Sequence, residues 1–159
     1  MKIIRLFVVL GLAAEVFSCS KDTLQNSQIP EPVMQAFQQK HADAQAVKWY
    51  KAGDNFQAEY QANGLDREVV LNAKGGILLT ETALNVNELP ASILNYLSAQ
   101  YGDQTITEAE KIETPDGLKY EVEYKIGGQE VELLFDAQGN FLQQGDDEEA
   151  GEEQDEEED

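Results

Sequence analysis

Any catalytic reading of this chain has to begin at His41, the only histidine among 159 residues. A histidine acting as general base needs a nucleophile to activate, and no nucleophile-elbow motif accompanies this one. It follows the first helical pattern, and its partner in the repeat described below is Tyr101, so it fills a structural slot. Zinc needs three or four His, Cys, Asp or Glu ligands, and the nitrogen and sulfur donors here are limited to His41 and the single Cys19. Glycine pairs such as Gly75-Gly76 fall between strand patterns and open no helix, so no phosphate loop is indicated. Carboxylates are so abundant that pairing carries little information. Glu59, Glu121 and Glu123 alternate with apolar residues, which directs them toward solvent and away from the pocket a general acid requires. Asp136-Ala137-Gln138-Gly139-Asn140 invites a calcium reading, but it lacks the glycine an EF-hand carries at its sixth position. Its counterpart is Asn72-Ala73-Lys74-Gly75-Gly76, with a cation in the middle, and a repeated hairpin turn accounts for both. The expectation is no enzyme, no metal and no cofactor.

The formal charge is -20, from 31 acidic and 11 basic side chains, and it is unevenly spread. Residues 146–159 hold eleven acidic groups and no basic one. Residues 19–145 carry nine Lys/Arg against nineteen Asp/Glu, a net charge of -10. Such a body repels phosphate backbones and anionic lipid headgroups, which disfavours nucleic-acid binding and direct membrane adsorption. The stretch 145–159 is expected to be a disordered acidic tail. The chain's 159 residues and 42% apolar content allow one domain, or two small units sharing a core.

The first residues read as an address. Lys2 and Arg5 form a short positive start, and Ile3 to Ala14 is nearly all apolar, a stretch too short to span a bilayer. Val16-Phe17-Ser18-Cys19 then has the form of a bacterial lipobox, with a small residue before the cysteine that would carry the lipid. Cys19 is the only cysteine, so an internal disulfide is impossible. Residues 1–18 are thus expected to be a lipoprotein signal peptide and 19–28 a polar tether. The protein would be exported and held to a bacterial membrane through the lipid alone, facing the periplasm or the cell surface.

The body repeats itself. Ile29-Pro30-Glu31-Pro32-Val33 returns as Leu89-Pro90-Ala91-Ser92-Ile93 at an offset of sixty, and Phe37 and His41 match Leu97 and Tyr101. Phe56 to Tyr60 matches Tyr120 to Tyr124 at sixty-four, and Glu68 to Gly75 matches Glu132 to Gly139. Four extra residues in the second copy, placed around Thr114-Pro115-Asp116-Gly117, account for the change. In each copy a helical period (Val33, Ala36, Phe37; Ile93, Leu97, Tyr101) gives way to a period of two. Val47/Trp49, Phe56/Ala58/Tyr60, Val69/Leu71 and Ile77/Leu79 alternate with polar residues, separated by Gly53-Asp54, Asn63-Gly64 and Lys74-Gly75-Gly76. The second copy predicts strands over Ile106–Ile112, Tyr120–Ile126, Val131–Phe135 and Asn140–Leu142. Repeat 1 covers 29–82 and repeat 2 covers 83–144. Each is one helix followed by four antiparallel strands, and together they predict an α+β two-layer sandwich with both helices on one face.

Ile-Pro, Val, Ala-Phe and Trp49, followed by a Tyr/Phe-rich strand and an Asp-Ala-x-Gly hairpin, resemble the PepSY-like family. Its members are secreted or lipid-anchored proteins related in fold to the beta-lactamase inhibitory protein. The resemblance covers about residues 29–142 and the lipobox. It implies the fold and protein binding or inhibition, and it supplies no agreed site residues.

Strand parity locates a candidate surface. If Val47, Trp49, Phe56, Ala58, Tyr60, Val69 and Leu71 face the helices, the other face carries Lys48, Tyr50, Gln57, Glu59, Gln61 and Val70, and in repeat 2 Lys119, Glu121, Glu123, Lys125 and Leu134. Tyr50, Val70 and Leu134 are then expected to be the apolar residues of an open polar face, a partner-binding surface. The leading expectation is a non-enzymatic extracytoplasmic lipoprotein that binds a protein or peptide and restrains a hydrolase. The alternative is a sensor that binds calcium or a small molecule.

Overall fold

The computed structural model describes residues 23–102, 105–126 and 129–145. Two α-helices, α1 (Glu31–Lys40) and α2 (Ala91–Tyr101), each precede four strands. The strands are β1 (Gln45–Ala52), β2 (Asn55–Ala62), β3 (Leu65–Leu71) and β4 (Ile77–Ala83), then β5 (Thr105–Thr114), β6 (Gly117–Ile126), β7 (Gln129–Asp136) and β8 (Phe141–Gly145). All eight form one sheet in sequential order, every neighbour antiparallel. Neither helix has a side-chain cap on the residue before it. Each follows a short 3-10 turn whose own ends are tied: Gln28 Oε1 accepts from the Gln25 N–H, and Glu88 Oε2 accepts from the Asn85 N–H. Pro30 and Pro90 stand at the N-cap positions, one residue before the first helical residue. There the carbonyl of Pro30 accepts the N–H of Met34 and that of Pro90 accepts the N–H of Leu94. Glu31 in the first turn and Lys40 in the last complement the α1 dipole.

The hairpin glycines fasten sheet to helix. Gly75 has φ +83° and lies against the start of α1; a Cβ on it would stand 2.5 Å from the Pro32 carbonyl oxygen. Gly139, with φ +80°, occupies the same place against Ser92 of α2. Both turns close on the side chain that begins them. Asn72 Oδ1 accepts from the N–H groups of Lys74 and Gly76, and Asp136 Oδ1 accepts from those of Gln138 and Asn140.

Each repeat carries two bulges at matching positions. One lies between Gln45 and Lys48, and its copy between Ile106 and Glu108. The other is where Val70 opposes Leu79 while Leu71 opposes Ile77, copied where Leu134 opposes Gln143 and Phe135 opposes Phe141. A bulge adds one residue and reverses parity beyond it. Val47, expected beside Trp49 toward the helix, is therefore exposed next to Ala46, whose φ is +53°. Ile77 and Leu79, expected on one face, stand on opposite ones. The four extra residues of repeat 2 do not form a loop. They lengthen the β5–β6 hairpin by the pairs Glu113–Leu118 and Thr114–Gly117.

Both helices lie on the same face. One rank of directly opposed residues runs Tyr60, Arg67, Thr82, Lys111, Tyr120, Phe135, joining a ring packed in the first core to one packed in the second. The cores are separate clusters. Val33 and Phe37 pack with Trp49, Phe56, Tyr60, Val69 and Leu71, and Ile93 and Leu97 pack with Val122, Tyr124, Leu133 and Phe135. Each fully buried side chain contributes about 1.5–3 kcal/mol of transfer free energy. The β4–β5 seam between the clusters is polar on the helix side, with Thr80 opposite Glu113 and Thr82 opposite Lys111. At the outer edge of β1, the Leu24 N–H donates to the Trp49 carbonyl at 2.7 Å. Among the described residues β8 pairs with β7 alone.

Candidate functional site on the helix-free sheet face

The residues that alternate with the two cores build the opposite face. One rank runs Lys48, Glu59, Glu68, Glu81, Ile112; a second runs Tyr50, Gln57, Val70, Leu79. In repeat 2 the matching ranks are Glu108, Glu123, Glu132 and Glu110, Glu121, Leu134, Gln143. Tyr50, Val70 and Leu134 all stand on this face, and none belongs to either core cluster. They are not exposed, however, with only 8%, 6% and 5% of their surface accessible. Directly opposed side chains in an antiparallel pair stand about 4.5–5.5 Å apart, so long polar groups lie over shorter apolar neighbours. Val70 is flanked by Gln57 and Leu79, Leu134 by Glu121 and Gln143, and Tyr50 opposes Gln57. The three residues form the floor of the face, beneath a polar layer.

That layer is itself unexpectedly buried. Gln57, Glu68, Glu81, Glu110 and Glu121 are all among the buried polar residues. Glu121, expected in solvent, is thereby corrected: its register neighbours are Glu110 and Leu134, and those neighbours exclude water. Burial pushes Glu110 up to about 7, helped by the negative charges of Glu108, Glu68, Glu123 and Glu132. Glu121 is raised well above the ordinary carboxylate range by burial, then by the charges of Glu132, Glu110 and Glu81, and it hydrogen-bonds the Glu132 carboxyl. Two carboxyls can share a hydrogen bond only if one keeps its proton. In repeat 1 the matching place holds an amide, and Gln57 Nε2 donates to Glu68 Oε2. Burial also raises the Tyr50 phenol, with the charge of Glu59 and a hydrogen bond to it adding to the effect.

This chemistry favours a cation. A Lys or Arg brought onto the face would meet carboxylates in a low-dielectric setting and displace protons from Glu110 and Glu121. The arrangement offers no route to general acid catalysis with His41, which lies on the helix side of the sheet while the raised carboxyls lie on the other. Among the described residues no group of three or more His, Cys, Asp or Glu is placed to hold a metal ion. Asp136 spends both carboxylate oxygens on its own turn, Oδ1 on two N–H groups and Oδ2 on the Asn140 amide. The hairpin thus uses the residues that suggested calcium. Cys19 and the acidic run 146–159 lie outside the described residues.

The simple meander of eight strands, with two helices on one side and the bulges duplicated, is an architecture with known relatives. The family model described as "Putative beta-lactamase-inhibitor-like, PepSY-like" matches residues 15–79 and again 54–143. The chain belongs to this PepSY-like family. It is similar to a solved BLIP-like protein from Bacteroides fragilis, with 29% identity and TM-score 0.65 over 74% of this chain and 90% of that one. A "DUF2874 family protein" from Bacteroides ovatus shares the fold at 20% identity and TM-score 0.66, over 73% of this chain and 86% of the other. A Bacteroides eggerthii structure described as "putative periplasmic proteins" does so at 19% identity and TM-score 0.68, over 73% and 87%. Among curated proteins there is no match. The PepSY-like fold is the non-enzymatic, inhibitor-like one. Among the described residues no helix is long and apolar enough to cross a membrane.

Proposed function

We propose that this PepSY-like protein is an exported lipoprotein, anchored through Cys19, that binds a protein or peptide partner on the helix-free face of its sheet and restrains a hydrolase outside the cytoplasm. The observation that carries the reading is the face itself. Both helices lie on the other side, and it gathers Glu59, Glu68, Glu81, Glu110, Glu121, Glu123 and Glu132 over an apolar floor of Tyr50, Val70 and Leu134. A partner presenting basic side chains matches that charge, and the likeness to a BLIP-like protein supports an inhibitory role. The Lys2/Arg5 start, the apolar run and the lipobox support export and anchoring.

The test is capture of partners from membranes with the lipidated protein, using three forms: unaltered, truncated after 145, and carrying Glu59→Lys with Glu123→Lys. Those two glutamates are equivalent in the two repeats and only half-buried, so reversal leaves both cores intact. A partner retained after truncation and lost on charge reversal supports the sheet face. Capture that vanishes with the tail and ignores the reversal would falsify it. Cys19→Ala should release the protein from the membrane fraction, and retention of that variant would remove the anchor.

A further inference from the structure

A second region of the molecule, on the helix side and independent of the acidic face, has the opposite charge. An open groove of about 450 Å³ lies where the C-terminal end of α1 meets the polar seam, lined by Lys40, His41, Arg67, Thr80 and the tip of the lengthened β5–β6 hairpin, Glu113 to Pro115. Two of the chain's 11 Lys/Arg residues, Lys40 and Arg67, meet its only histidine, His41, in one groove of a protein whose net charge is -20.

The hydrogen bonding gives the groove a sign. Tyr60 Oη lies 2.7 Å from His41 Nδ1. Arg67 opposes Tyr60 in register and hydrogen-bonds its oxygen, and a guanidinium can only donate. The phenol still has its own hydrogen to give, and donation to Nδ1 would leave the imidazole hydrogen on Nε2. His41 Nε2 and Arg67 Nε are both buried and have no hydrogen-bond partner among the described residues. An unmet buried donor costs about 1–3 kcal/mol, which makes the Arg67 Nε–H, joined by His41 Nε2–H in that tautomer, a draw for an acceptor. Burial and the Arg67 charge lower the His41 pKa, while Asp43 raises it, so a neutral imidazole donor is consistent with this assignment. The nearby carboxylates are engaged elsewhere. Asp43 accepts from the Asn63 amide at 3.1 Å, and Glu113 is 2.9 Å from Lys111.

Repeat 2 has none of this. The residues matching Lys40, His41 and Arg67 are Gln100, Tyr101 and Val131, and there the Tyr124 hydroxyl donates to the Gly102 carbonyl. The groove also depends on the four residues that repeat 2 has gained, since they extend the hairpin that forms its far wall. The two copies have diverged at the place where they meet.

We propose that this groove is a binding site for a small oxyanion, a carboxylate or phosphate group received by the Arg67 guanidinium and the His41 Nε2–H, with Lys40 at the rim. Arginine suits this role through its planar fork of donors.

His41 is the only histidine, so its ring gives a single, unambiguous set of NMR signals. The full-length protein, isotopically labelled, is titrated with sodium phosphate, sodium acetate, or sodium chloride at matched ionic strength. A saturable shift of the His41 ring and Arg67 Nε–H signals with phosphate or acetate, absent with chloride, is the expected result. Which of the two saturates at lower concentration separates phosphate from carboxylate as the preferred group. Arg67→Gln should weaken binding at least about tenfold. If that variant loses its native spectrum, Lys40→Gln at the exposed end of α1 decides, and a measurable weakening is expected. Shifts that drift linearly and equally in all three salts overturn the site, as does wild-type affinity in a folded Arg67→Gln or, failing that, in Lys40→Gln.

Discussion

Gln57 and Glu121 occupy the same position in two copies of one unit, each beside a glutamate on the next strand, Glu68 and Glu132. In repeat 1 an amide donates to a carboxylate, and the hydrogen bond needs no added proton. In repeat 2 a carboxyl faces a carboxyl, and the same geometry requires a proton. One atom type, nitrogen or oxygen, decides whether the pair at this point needs a bound proton. On the helix side the copies differ in the opposite sense. Repeat 1 keeps a polar network of His41, Tyr60 and Arg67, where repeat 2 packs Tyr101 on Tyr124 with ring centroids 5.4 Å apart.

The comparison breaks most sharply at the cores. Phe37→Ala should cost about 3–5 kcal/mol and its counterpart Leu97→Ala about 2–5 kcal/mol in urea unfolding. Because the clusters are separate, hydrogen exchange should speed up more within the mutated repeat than in the other. Equal loss of protection in both repeats would mean the two cores act as one.

Next in size is the proton. The unfolded value for Glu110 is 4.5 and the folded one about 7, so between these pH values the folded chain holds a proton the unfolded chain has released. Stability is fully present below about pH 4.5 and falls as the pH rises toward 7, by about 3 kcal/mol for this group. Glu121 adds to the loss in the same direction at higher pH. Glu121→Gln copies repeat 1 into repeat 2 and should raise stability at pH 8 by about 1–3 kcal/mol while changing little at pH 5. Gln57→Glu, the reverse graft, should lower it at pH 8. Thermal unfolding at the two pH values measures both, and a stability that rises from pH 5 to 8 would count against the buried carboxyl pair.

Smaller again is the contrast between two glycines. Gly75→Ala combines a positive φ with a Cβ only 2.5 Å from the Pro32 backbone oxygen and should cost about 2–4 kcal/mol. Gly53→Ala, at φ +58° with open space around it, should cost about 1 kcal/mol. Similar unfolding midpoints for the two would mean the helix yields to the turn. The smallest change expected is Asp136→Asn, which makes the second turn like the first. It should be almost silent at pH 7 and remove only the slight acid-side loss from a carboxyl held low by its turn hydrogen bonds.

The fold was legible because its signals are local and doubled. Helical spacing in Val33 and Phe37, alternation in Phe56 to Tyr60 and the Asx-Ala-x-Gly turns each predict an element, and the second copy repeats the prediction. Tyr50, Val70 and Leu134 were placed on the correct face by parity. Val47 and Leu79 were not, because a bulge adds a single residue that leaves no mark in an alternating pattern. The burial of Glu121 was hidden for a different reason. Its surroundings come from Glu81, Glu110 and Glu132 on three other strands, and cross-strand register is not written in any one stretch of chain. The oxyanion groove joins the end of a helix, a strand residue 26 positions on and a hairpin from the other repeat, and only the registers bring these together.

The two edges of the sheet are unlike. At β1 the Leu24–Trp49 hydrogen bond occupies part of the outer row of backbone groups, whereas β8 carries Phe141 and Leu142 with 37% and 47% of their surface accessible. An uncovered strand of that kind is a template for adding a second chain, the first step of edge-to-edge aggregation. The sequence that leaves β8 begins Asp146-Asp147-Glu148-Glu149. Charged residues beside an edge strand are a common device against such pairing. Among the described residues nothing pairs with the outer edge of β8, and the residues that follow it in sequence are of the kind that guards such an edge against a second chain.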